Sequence, residues 1–485
     1  MGVGLYLGLT WRTGEAQGAS PAPGEGDRLV LLWPGPWPDL GSWYGVRSSS
    51  GLGEAPLWGD WIYGSLLDPA PEGWQPGLAL SITRDGEGLY TLELDPKATW
   101  SDGTPMAPED IAAAFQGVKG DPESPYHEAA QALAEGGITW KEEGGTTFLT
   151  LKLQGPEAGR ALFALLTMGI GPGPQRSGLT SGAYKAEKTA AGWSFTPRAE
   201  GLPPVEVKPL TPQMSIQDLG KAFQAAPLAS PGVPKGARLW IRPRPAIGYL
   251  AMNVRVQPAG TTLTLPLRKA LAASLPGDLW QEGAPFLQPA VSPLPLGHWA
   301  APALREEKGT QDQDAASLFA EAGYHRREDG RLVDKDGREL EVHLAYLEED
   351  SFQKDLALKA AAALEKEGVR VDPMPMDGET FARQVFLRKS FSLALLPWSS
   401  EGESSLSQLL WPKSSFALTG GKGEKLEALG GWEGWAADLP ALVRLYGEAW
   451  QEAQEEVLLL PLYQPVEVWA AAPGVALEPL GFRRP

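Results

Sequence analysis

The spacing of apolar residues predicts strands in the first half of the chain. In "GLYTLELD", Tyr90, Leu92 and Leu94 occupy every second position, which is typical of a half-buried strand. The segments "RLVLLW" (residues 28–33) and "TTFLTLKLQ" (146–154) are interpreted as strands too, and "SGAYKAEKTAAGWSFTPR" as two strands around a turn. By contrast, "WGDWIYGSLL" (58–67) places apolar residues at helical spacing and predicts a helix.

A turn and a helix follow "GLYTLELD", in the stretch "WSDGTPMAPEDIAAAF" (100–115). Residues 101–104 include the Asp and Gly of a tight turn. Pro108 stands at the first helical position, where its missing N–H costs nothing, and acidic residues follow where the helix dipole favours them. Ile111, Phe115 and Val118 are spaced i, i+4 and i+7, so we expect them to form the buried face.

The second half of the chain alternates between strand and helix patterns. "DAASLFAEAGY" predicts a short helix that ends at Gly323. "RLVDKDGRELEVHLAYL" predicts a hairpin that turns at Asp336 and Gly337, and residues 352–367 predict a helix that Gly368 stops. Strand "VRVDPM", helix "ETFARQVFLRK" and strand "FSLALLPW" follow, and "EEVLLLPLYQPVEVWAAA" runs from a helix end into a strand. This order is typical of a parallel, doubly wound sheet.

Composition and charge narrow the range of partners. The length of 485 residues suggests two to four domains. There are 60 acidic and 42 basic residues, a net charge of −18, which disfavours nucleic acid and anionic lipid because both would repel the chain. No run of about 18 apolar residues is present, so no segment is predicted to span a membrane.

Residue types for metal, redox or nucleophilic chemistry are scarce. The chain has no cysteine, which excludes disulfides and thiolate metal sites. The four histidines, at positions 127, 298, 325 and 343, lack ligand spacing, so a metal site is not expected. Phosphate-loop, G-x-S-x-G and dinucleotide-binding patterns are absent as well. The sequence therefore predicts neither an enzyme nor a cofactor.

The N-terminal residues have a composition of their own. "MGVGLYLGLTW" is apolar, and small and polar residues follow up to residue 26. This segment resembles the remnant of a secretory signal or a linker, although a basic leading region is missing; a disordered tail is the alternative. Elsewhere, 45 prolines and a single asparagine fit either adaptation to high temperature or a GC-rich genome.

The stretch "YTLELDPKATWSDGTPMAPEDIAAAF" resembles the peptide/nickel-type extracytoplasmic solute-binding proteins of ABC importers. That family carries a strand and then a "(W/F)SDGTP-(apolar)-TAEDV" turn and helix; Ala107 and Pro108 depart from its usual Thr-Ala. The resemblance extends along nearly the whole chain. Further segments that match in order are "WIYGSLLDPAPEGWQPGLALSI", "SGAYKAEK", "YLAMNVRVQP" through "PLRKALAASLP", "AASLFAEAGY", "ALEKEGVRVD" and "FSLALLPW".

This resemblance implies an α/β fold: a two-lobe, periplasmic-binding-protein-like (class II) clamp that holds ligand between its lobes. We expect the first lobe at residues 27–245 and 461–485, with an extra subdomain at about 55–160, and the second lobe at 246–460. The implied function is that of a secreted, extracytoplasmic receptor, periplasmic or at the cell surface. It would deliver a small-molecule ligand to a membrane ABC permease, as a monomer and without binding nucleic acid.

Departures from the family's pattern leave the ligand class open. After "FSLALLPW", peptide-binding relatives carry an aspartate that holds the peptide's amine, whereas residues 399–405 here are "SSEGESS". Glu401 or Glu403 could substitute for it, which would suit an oligopeptide-like ligand. The 19 tryptophans, including those at 33, 37, 398 and 411, make an oligosaccharide the alternative, because flat aromatic rings stack on sugars; packing in the core or at an interface is the other explanation for these residues. A ligand-sensing domain of a regulator is a further alternative.

The candidate ligand residues lie at the implied crossovers between lobes, near 242–249 and near 460–464, and beyond "FSLALLPW". The unbroken apolar run of that segment predicts a central parallel strand, and ligands of doubly wound sheets lie beyond the carboxyl ends of such strands. Asn253 is expected to be structural or adjacent to ligand, because its amide both donates and accepts hydrogen bonds. The predicted ligand-binding residues are Trp33, Tyr249, Asn253, Trp398, Ser399, Ser400, Glu401, Glu403 and Tyr463.

Overall fold

The structure is a computed structural model, and it describes residues 28–33, 59–155, 158–173, 176, 178–211, 217, 219–221, 223–228, 235–255, 262–277, 279, 286–304, 314–399, 405–414, 416–417, 419–431, 437–480 and 482. The predicted signal remnant or linker, residues 1–26, lies outside these ranges.

The strands within these ranges are β1 (Leu29–Trp33), β2 (Leu67–Ala70), β3 (Gly73–Pro76), β4 (Ala79–Gly86), β5 (Leu89–Leu94), β6 (Leu133–Glu143), β7 (Thr146–Leu153), β8 (Tyr184–Thr189), β9 (Gly192–Pro197), β10 (Val205–Pro209), β11 (Ala225–Pro227), β12 (Arg238–Pro243), β13 (Ala246–Met252), β14 (Leu287–Pro289), β15 (His325–Arg326), β16 (Leu332–Val333), β17 (Glu341–Leu347), β18 (Arg370–Met376), β19 (Leu393–Ser399) and β20 (Leu459–Ala471). The helices are α1 (Gly59–Ile62), α2 (Pro108–Lys119), α3 (His127–Gln131), α4 (Ala158–Thr167), α5 (Leu265–Ala273), α6 (Ala315–Glu321), α7 (Ser351–Lys366), α8 (Gly378–Phe381), α9 (Ser405–Leu410), α10 (Glu424–Ala428) and α11 (Leu439–Glu455). A π-helix, Ala382–Leu387, continues α8.

Twelve of the described strands pair into one large mixed sheet, in the order β18-β17-β19-β13-β20-β11-β1-β10-β9-β8, with β12 and β14 also paired to β20. β17 runs parallel to both β18 and β19. Between β17 and β18, α7 is followed by Gly368, whose φ of +88° lies in the left-handed region that glycine adopts without strain. The parallel arrangement predicted for "VRVDPM" and "FSLALLPW" is thereby confirmed.

β19 is central in this sheet but is not parallel to both neighbours. It pairs antiparallel with β13, from Ala246 opposite Ser399 to Met252 opposite Leu393, so the sheet is mixed at this point rather than purely parallel as predicted. Its apolar run is explained by burial on both faces. Leu393 and Leu395 pack in one hydrophobic cluster, and Ala394 and Leu396 pack in another.

β20 is shared by two groups of strands. Its first half pairs with β13 and β14, and its second half pairs with β12 and β11. The chain passes between the same two groups at Arg244, between β12 and β13. The side chain of Gln464, which is 1% exposed, joins the two passages: its Nε2 donates to the Arg244 carbonyl at 3.1 Å, and its Oε1 accepts from Leu296 N at 2.9 Å.

A separate antiparallel sheet, in the order β4-β5-β7-β6, packs against α2. Every second residue of β5 is buried, as its alternation predicts. The predicted face of α2, formed by Ile111, Phe115 and Val118, is buried in the same hydrophobic cluster.

The start of α2 is fastened by Asp110. Ala107 offers no side-chain cap, and the Asp110 carboxylate accepts hydrogen bonds from Ala107 N and from Trp100 Nε1, both at 3.0 Å. Its second oxygen lies 3.1 Å from Nε of Arg176. The turn and helix of "WSDGTPMAPEDIAAAF" are therefore tied together by one carboxylate, which makes this motif a scaffold element.

Two sequence predictions require correction. Residues 58–67 were predicted to be helical, but the described residues 59–67 form only the four-residue α1 and the start of β2. The helix ends because the Ile62 carbonyl accepts hydrogen bonds from the backbone N–H groups of Ser181 and Gly182. The hairpin predicted around Gly337 forms its turn and one bridge, Val333 to Glu339. β17 then pairs with β18 and β19 instead. Both faces of its centre are buried, because Ala345 packs in one hydrophobic cluster and Leu344 and Tyr346 pack in another. In the described part of the chain, no helix has the length and apolar character needed to cross a membrane.

Candidate functional site

A cavity of about 340 Å³ lies where β13, β14, β19 and β20 meet the start of α7. Small-ligand sites occupy roughly 300–1,000 Å³. The cavity adjoins the carboxyl ends of β17 and β19, the edge at which doubly wound sheets bind ligands. Its lining residues are Ala246, Ile247, Gly248, Phe286, Leu287, Asp350, Phe352, Pro397, Tyr463 and Pro465.

One wall of the cavity depends on the close approach of Tyr463 to Gly248. The two residues are partners in the pairing of β13 with β20, and the register shifts immediately after Gly248. A Cβ atom added at Gly248 would lie 2.2 Å from two carbons of the Tyr463 ring. Glycine is therefore the residue that lets this aromatic ring lie against the backbone of β13.

Tyr463 is held in an apolar setting beside a negative charge. Its side chain is buried, and its ring meets Phe352 edge to face, with centroids 5.0 Å apart. Burial raises the pKa of the Tyr463 phenol well above its usual range, and the nearby charge of Asp350 raises this pKa further. The phenol is therefore neutral at physiological pH and remains able to donate a hydrogen bond.

Asp350 is the one charged residue among the lining residues. It caps α7: its Oδ1 accepts from Phe352 N at 3.0 Å and from Gln353 N at 3.1 Å, and its Oδ2 accepts from Gln353 Nε2 at 3.1 Å. These bonds fix the carboxylate at the cavity wall, and it makes no ion pair with any described residue. Nowhere in the described ranges do three or more His, Asp or Glu side chains cluster as potential metal ligands.

Comparison with known proteins gives a likeness in fold. No protein-family model matches the chain, and no curated protein matches its sequence. The structure of a nickel ABC transporter protein from Bacillus halodurans superposes with a TM-score of 0.71 and 16% identity, over 92% of this chain and 94% of that one. MppA, a periplasmic murein tripeptide binding protein in its unliganded open form, superposes with a TM-score of 0.68 and 18% identity, over 92% and 93%.

The chain has the two-lobe fold of the peptide/nickel-type solute-binding proteins. NikA from Brucella suis, in complex with Fe(III)-EDTA, has this fold as well, with a TM-score of 0.62 and 18% identity over 93% of this chain and 96% of that one. The fold class that the sequence motif implied is thereby confirmed. The positions of the predicted ligand-binding residues can now be compared with the position of the cavity.

Of those predicted residues, Tyr463 lies on the cavity wall, and Trp398 lies on the opposite face of β19. Its strand neighbour Pro397 lines the cavity, whereas the Trp398 ring packs against Phe386 and Phe416, with centroids 6.3 and 5.7 Å apart. Alternate residues of a strand point to opposite faces, which separates Trp398 from Tyr463. Ser399 ends β19. Ser400, Glu401 and Glu403 lie outside the described residues, so their role stays a prediction.

Asn253 is bonded within the protein. Its Nδ2 donates to the carbonyls of Lys389 at 2.8 Å and Phe391 at 3.0 Å, and its Oδ1 accepts from Arg255 N at 3.1 Å. Asn253 is fully buried. These contacts support the structural role, in which the amide fastens the end of β13 to the segment that leads into β19.

The other two predicted residues are also packed inside the protein. The Tyr249 hydroxyl donates to the carbonyl of Pro293, and the side chain is 2% exposed. Trp33 ends β1 and packs against Trp469, with ring centroids 6.3 Å apart. Of the six predicted residues that the structure describes, Tyr463 is the one that lines the cavity, and the others lie elsewhere in the fold.

Sequence reasoning missed Gly248, Asp350 and Phe352. A signal was present in "YLEEDSF" (346–352), where an acidic residue at a helix start follows a buried strand. The carboxyl ends of neighbouring parallel strands meet at one edge of a sheet. The segment after β17 was therefore as strong a candidate as the segment after β19.

Proposed function

We propose that the protein is an extracytoplasmic solute receptor that captures an oligopeptide-like ligand between two lobes and delivers it to an ABC importer. The observation that carries this proposal is the fold match over 92% of the chain to MppA, a binding protein for a murein tripeptide. No bond is made or broken in this function. The protein contributes affinity for the ligand and a ligand-induced change of conformation that the permease recognises.

The lobe boundaries proposed for this clamp follow the passages of the chain at Arg244 and in the middle of β20. The first lobe comprises residues 27–245 and 461–485, and the second lobe comprises 246–460. Gln464 lies at the junction, where its side chain is hydrogen-bonded to the Arg244 carbonyl and to Leu296 N. A few residues at such crossings absorb the rotation when a clamp closes on its ligand.

The character of the cavity favours a peptide over a sugar. Its walls are mostly apolar, with one carboxylate and one phenol, whereas each hydroxyl of a buried sugar would need a polar partner. Trp398 packs away from the cavity, and Trp411 lies so close to Gly430 that an added Cβ would come within 2.4 Å of its ring. These two rings are used in packing, which weakens the argument from tryptophan content.

Small-angle X-ray scattering tests the proposal. A mixture of tri- to pentapeptides at saturating concentration is expected to reduce the radius of gyration, because both lobes must contact the ligand for closure to be favoured. A matched mixture of oligosaccharides is the control and is expected to leave the radius unchanged. Closure with the sugars alone would replace the peptide proposal, and an unchanged radius with both would contradict the clamp.

A further inference from the structure

We propose that Trp74, Phe163 and Trp299 form an aromatic latch between the two lobes, and that this latch sets the balance between the open and the closed form. The inference rests on the lobe boundaries of the proposed function and adds the residues that control closure. The latch is made of the protein's own side chains. Its contribution to closure therefore does not depend on which ligand the protein carries.

The first support is that the hydrophobic clusters of the described residues follow the lobe boundaries, with one exception. The buried members of the cluster around α2 all lie within residues 66–170, in the first lobe. The buried members of the cluster around α11 lie within residues 247–459, in the second lobe, except for Phe163. Phe163 is 5% exposed, so a side chain of the first lobe is buried in the core of the second.

The second support is the way in which α4 divides its side chains between the lobes. Leu162, Leu165 and Leu166 are fully buried in the first-lobe cluster, at the spacing of one helix face. Phe163 lies about 100° further around the helix axis than Leu162, and it packs in the second-lobe cluster instead. One helix therefore belongs to the first lobe and presents a single large ring to the second.

The third support is the pair of rings that Phe163 contacts, one from each lobe. Its centroid lies 5.0 Å from that of Trp74 in β3 and 6.1 Å from that of Trp299, with an angle of 28° between the ring planes of Phe163 and Trp299. Trp74 itself packs against both clusters. In the opposite direction, Ala437 of the second lobe packs against the first-lobe cluster. Aromatic pairs at such separations attract each other beyond the effect of the area they bury.

The latch is separate from the cavity, because its three residues are not among those that line the cavity. A substitution in the latch therefore changes the free-energy difference between the two forms and leaves the cavity wall intact. A contact that exists in one form alone shifts the populations by its own free energy. Loss of the latch should lower the closed population, and with it the apparent affinity for any ligand that binds the closed form.

Three variants remove the latch from either side. Phe163→Ala and Trp299→Ala each delete one ring, and Phe163→Leu removes the ring but keeps most of the apolar volume, so that one variant remains folded even if a cavity is too costly. Leu162→Ala is the matched control, because Leu162 is a fully buried neighbour on the same helix that packs within the first lobe. Thermal unfolding should show which variants are folded.

The distance between the lobes can be measured with spin labels by double electron–electron resonance. The chain has no cysteine, so Glu142→Cys on β6 and Lys354→Cys on α7, both at exposed positions, label each lobe once. Without peptide, the wild type is expected to show a short and a long distance. In the latch variants the ratio of long to short should rise by about tenfold, and in Leu162→Ala it should equal that of the wild type.

The double variant Phe163→Ala with Trp299→Ala should give the same ratio as either single variant, because both remove one contact. Unchanged distances in the folded latch variants would overturn the inference, as would an equal shift in Leu162→Ala. The measurement uses no peptide, so either result would leave the receptor proposal to the scattering test. If peptides fail to close the lobes in that test while the latch variants still shift the distances, the receptor proposal falls and the latch stands.

Discussion

Gly248 sets how closely β20 approaches β13 at the cavity. The Tyr463 ring occupies the space that any side chain at Gly248 would need, and the ring is itself confined by Phe352. The fit of the aromatic wall therefore depends on the absence of one carbon atom.

We expect Gly248→Ala to lower the free energy of unfolding by about 1–3 kcal/mol, because the added methyl overpacks a site that cannot expand freely. The control is Gly86→Ala in the exposed end of β4, where an added Cβ meets nothing within 4 Å. Urea unfolding of both variants checks the prediction. Equal stability of the two would show that the Tyr463 ring moves aside at little cost.

Among individual residues, Asn253 could be singled out from the sequence and Asp350 could not. Asn253 is the single asparagine of the chain, which distinguishes it in the sequence, and its amide bonds three backbone groups. Asp350 is one of 60 acidic residues, and nothing in its own type distinguishes it. Asp350 is distinguished by the cavity that it lines, and the walls of that cavity come together because β13 pairs with β20, more than 200 residues away in the chain.

At the scale of elements, local patterns were sufficient and long-range pairings were not. The alternation of β5, the buried face of α2 and the ends of α6 and α7 follow from the spacing of apolar residues and from glycine positions. The antiparallel pairing of β13 with β19 joins segments about 150 residues apart. No periodicity within either segment encodes that partner, which is why a purely parallel sheet was predicted.

The start of α2 provides a test at this scale. Asp110→Ala is expected to cost roughly 1–2 kcal/mol of stability, because it removes the acceptor for Ala107 N and Trp100 Nε1 and the partner of Arg176. Glu109→Ala, one position earlier on the exposed side of the first turn, should cost less than about 0.5 kcal/mol. Chemical denaturation would measure both, and similar losses would argue against Asp110 as the fastening residue.

At the scale of the whole molecule, a chain of aromatic rings joins parts that are distant in sequence. Trp74 of β3 packs against Phe163 of α4, with ring centroids 5.0 Å apart, and Phe163 stacks with Trp299 at 6.1 Å. His298 lies beside Trp299 at 5.6 Å, and its Nδ1 accepts from Ala300 N at 3.1 Å. Burial lowers the pKa of His298 to about 4.

This lowered pKa makes stability depend on pH. The unfolded chain binds a proton at His298 more readily than the folded protein does. The contribution of neutral His298 to the free energy of unfolding is therefore fully present above pH 6.5 and is lost as the pH falls toward 4. The total loss is roughly 3 kcal/mol. In His298→Asn, where an amide oxygen can replace Nδ1 as acceptor, this part of the acid sensitivity should disappear. Unfolding free energies at pH 7 and pH 4, with the exposed His325→Asn as control, would measure it; identical losses in all three proteins would exclude His298 as the cause.

The position of β20 has a consequence for how the protein is made. β20 follows every other described strand in the chain, yet β11, β12, β13 and β14 all pair with it. During synthesis, the strands of both groups therefore keep unpaired backbone N–H and C=O groups at their edges until β20 leaves the ribosome. Such unpaired edges can associate with other chains. Such a chain stays incompletely folded while it grows, so a chaperone that holds it in that interval would raise its yield.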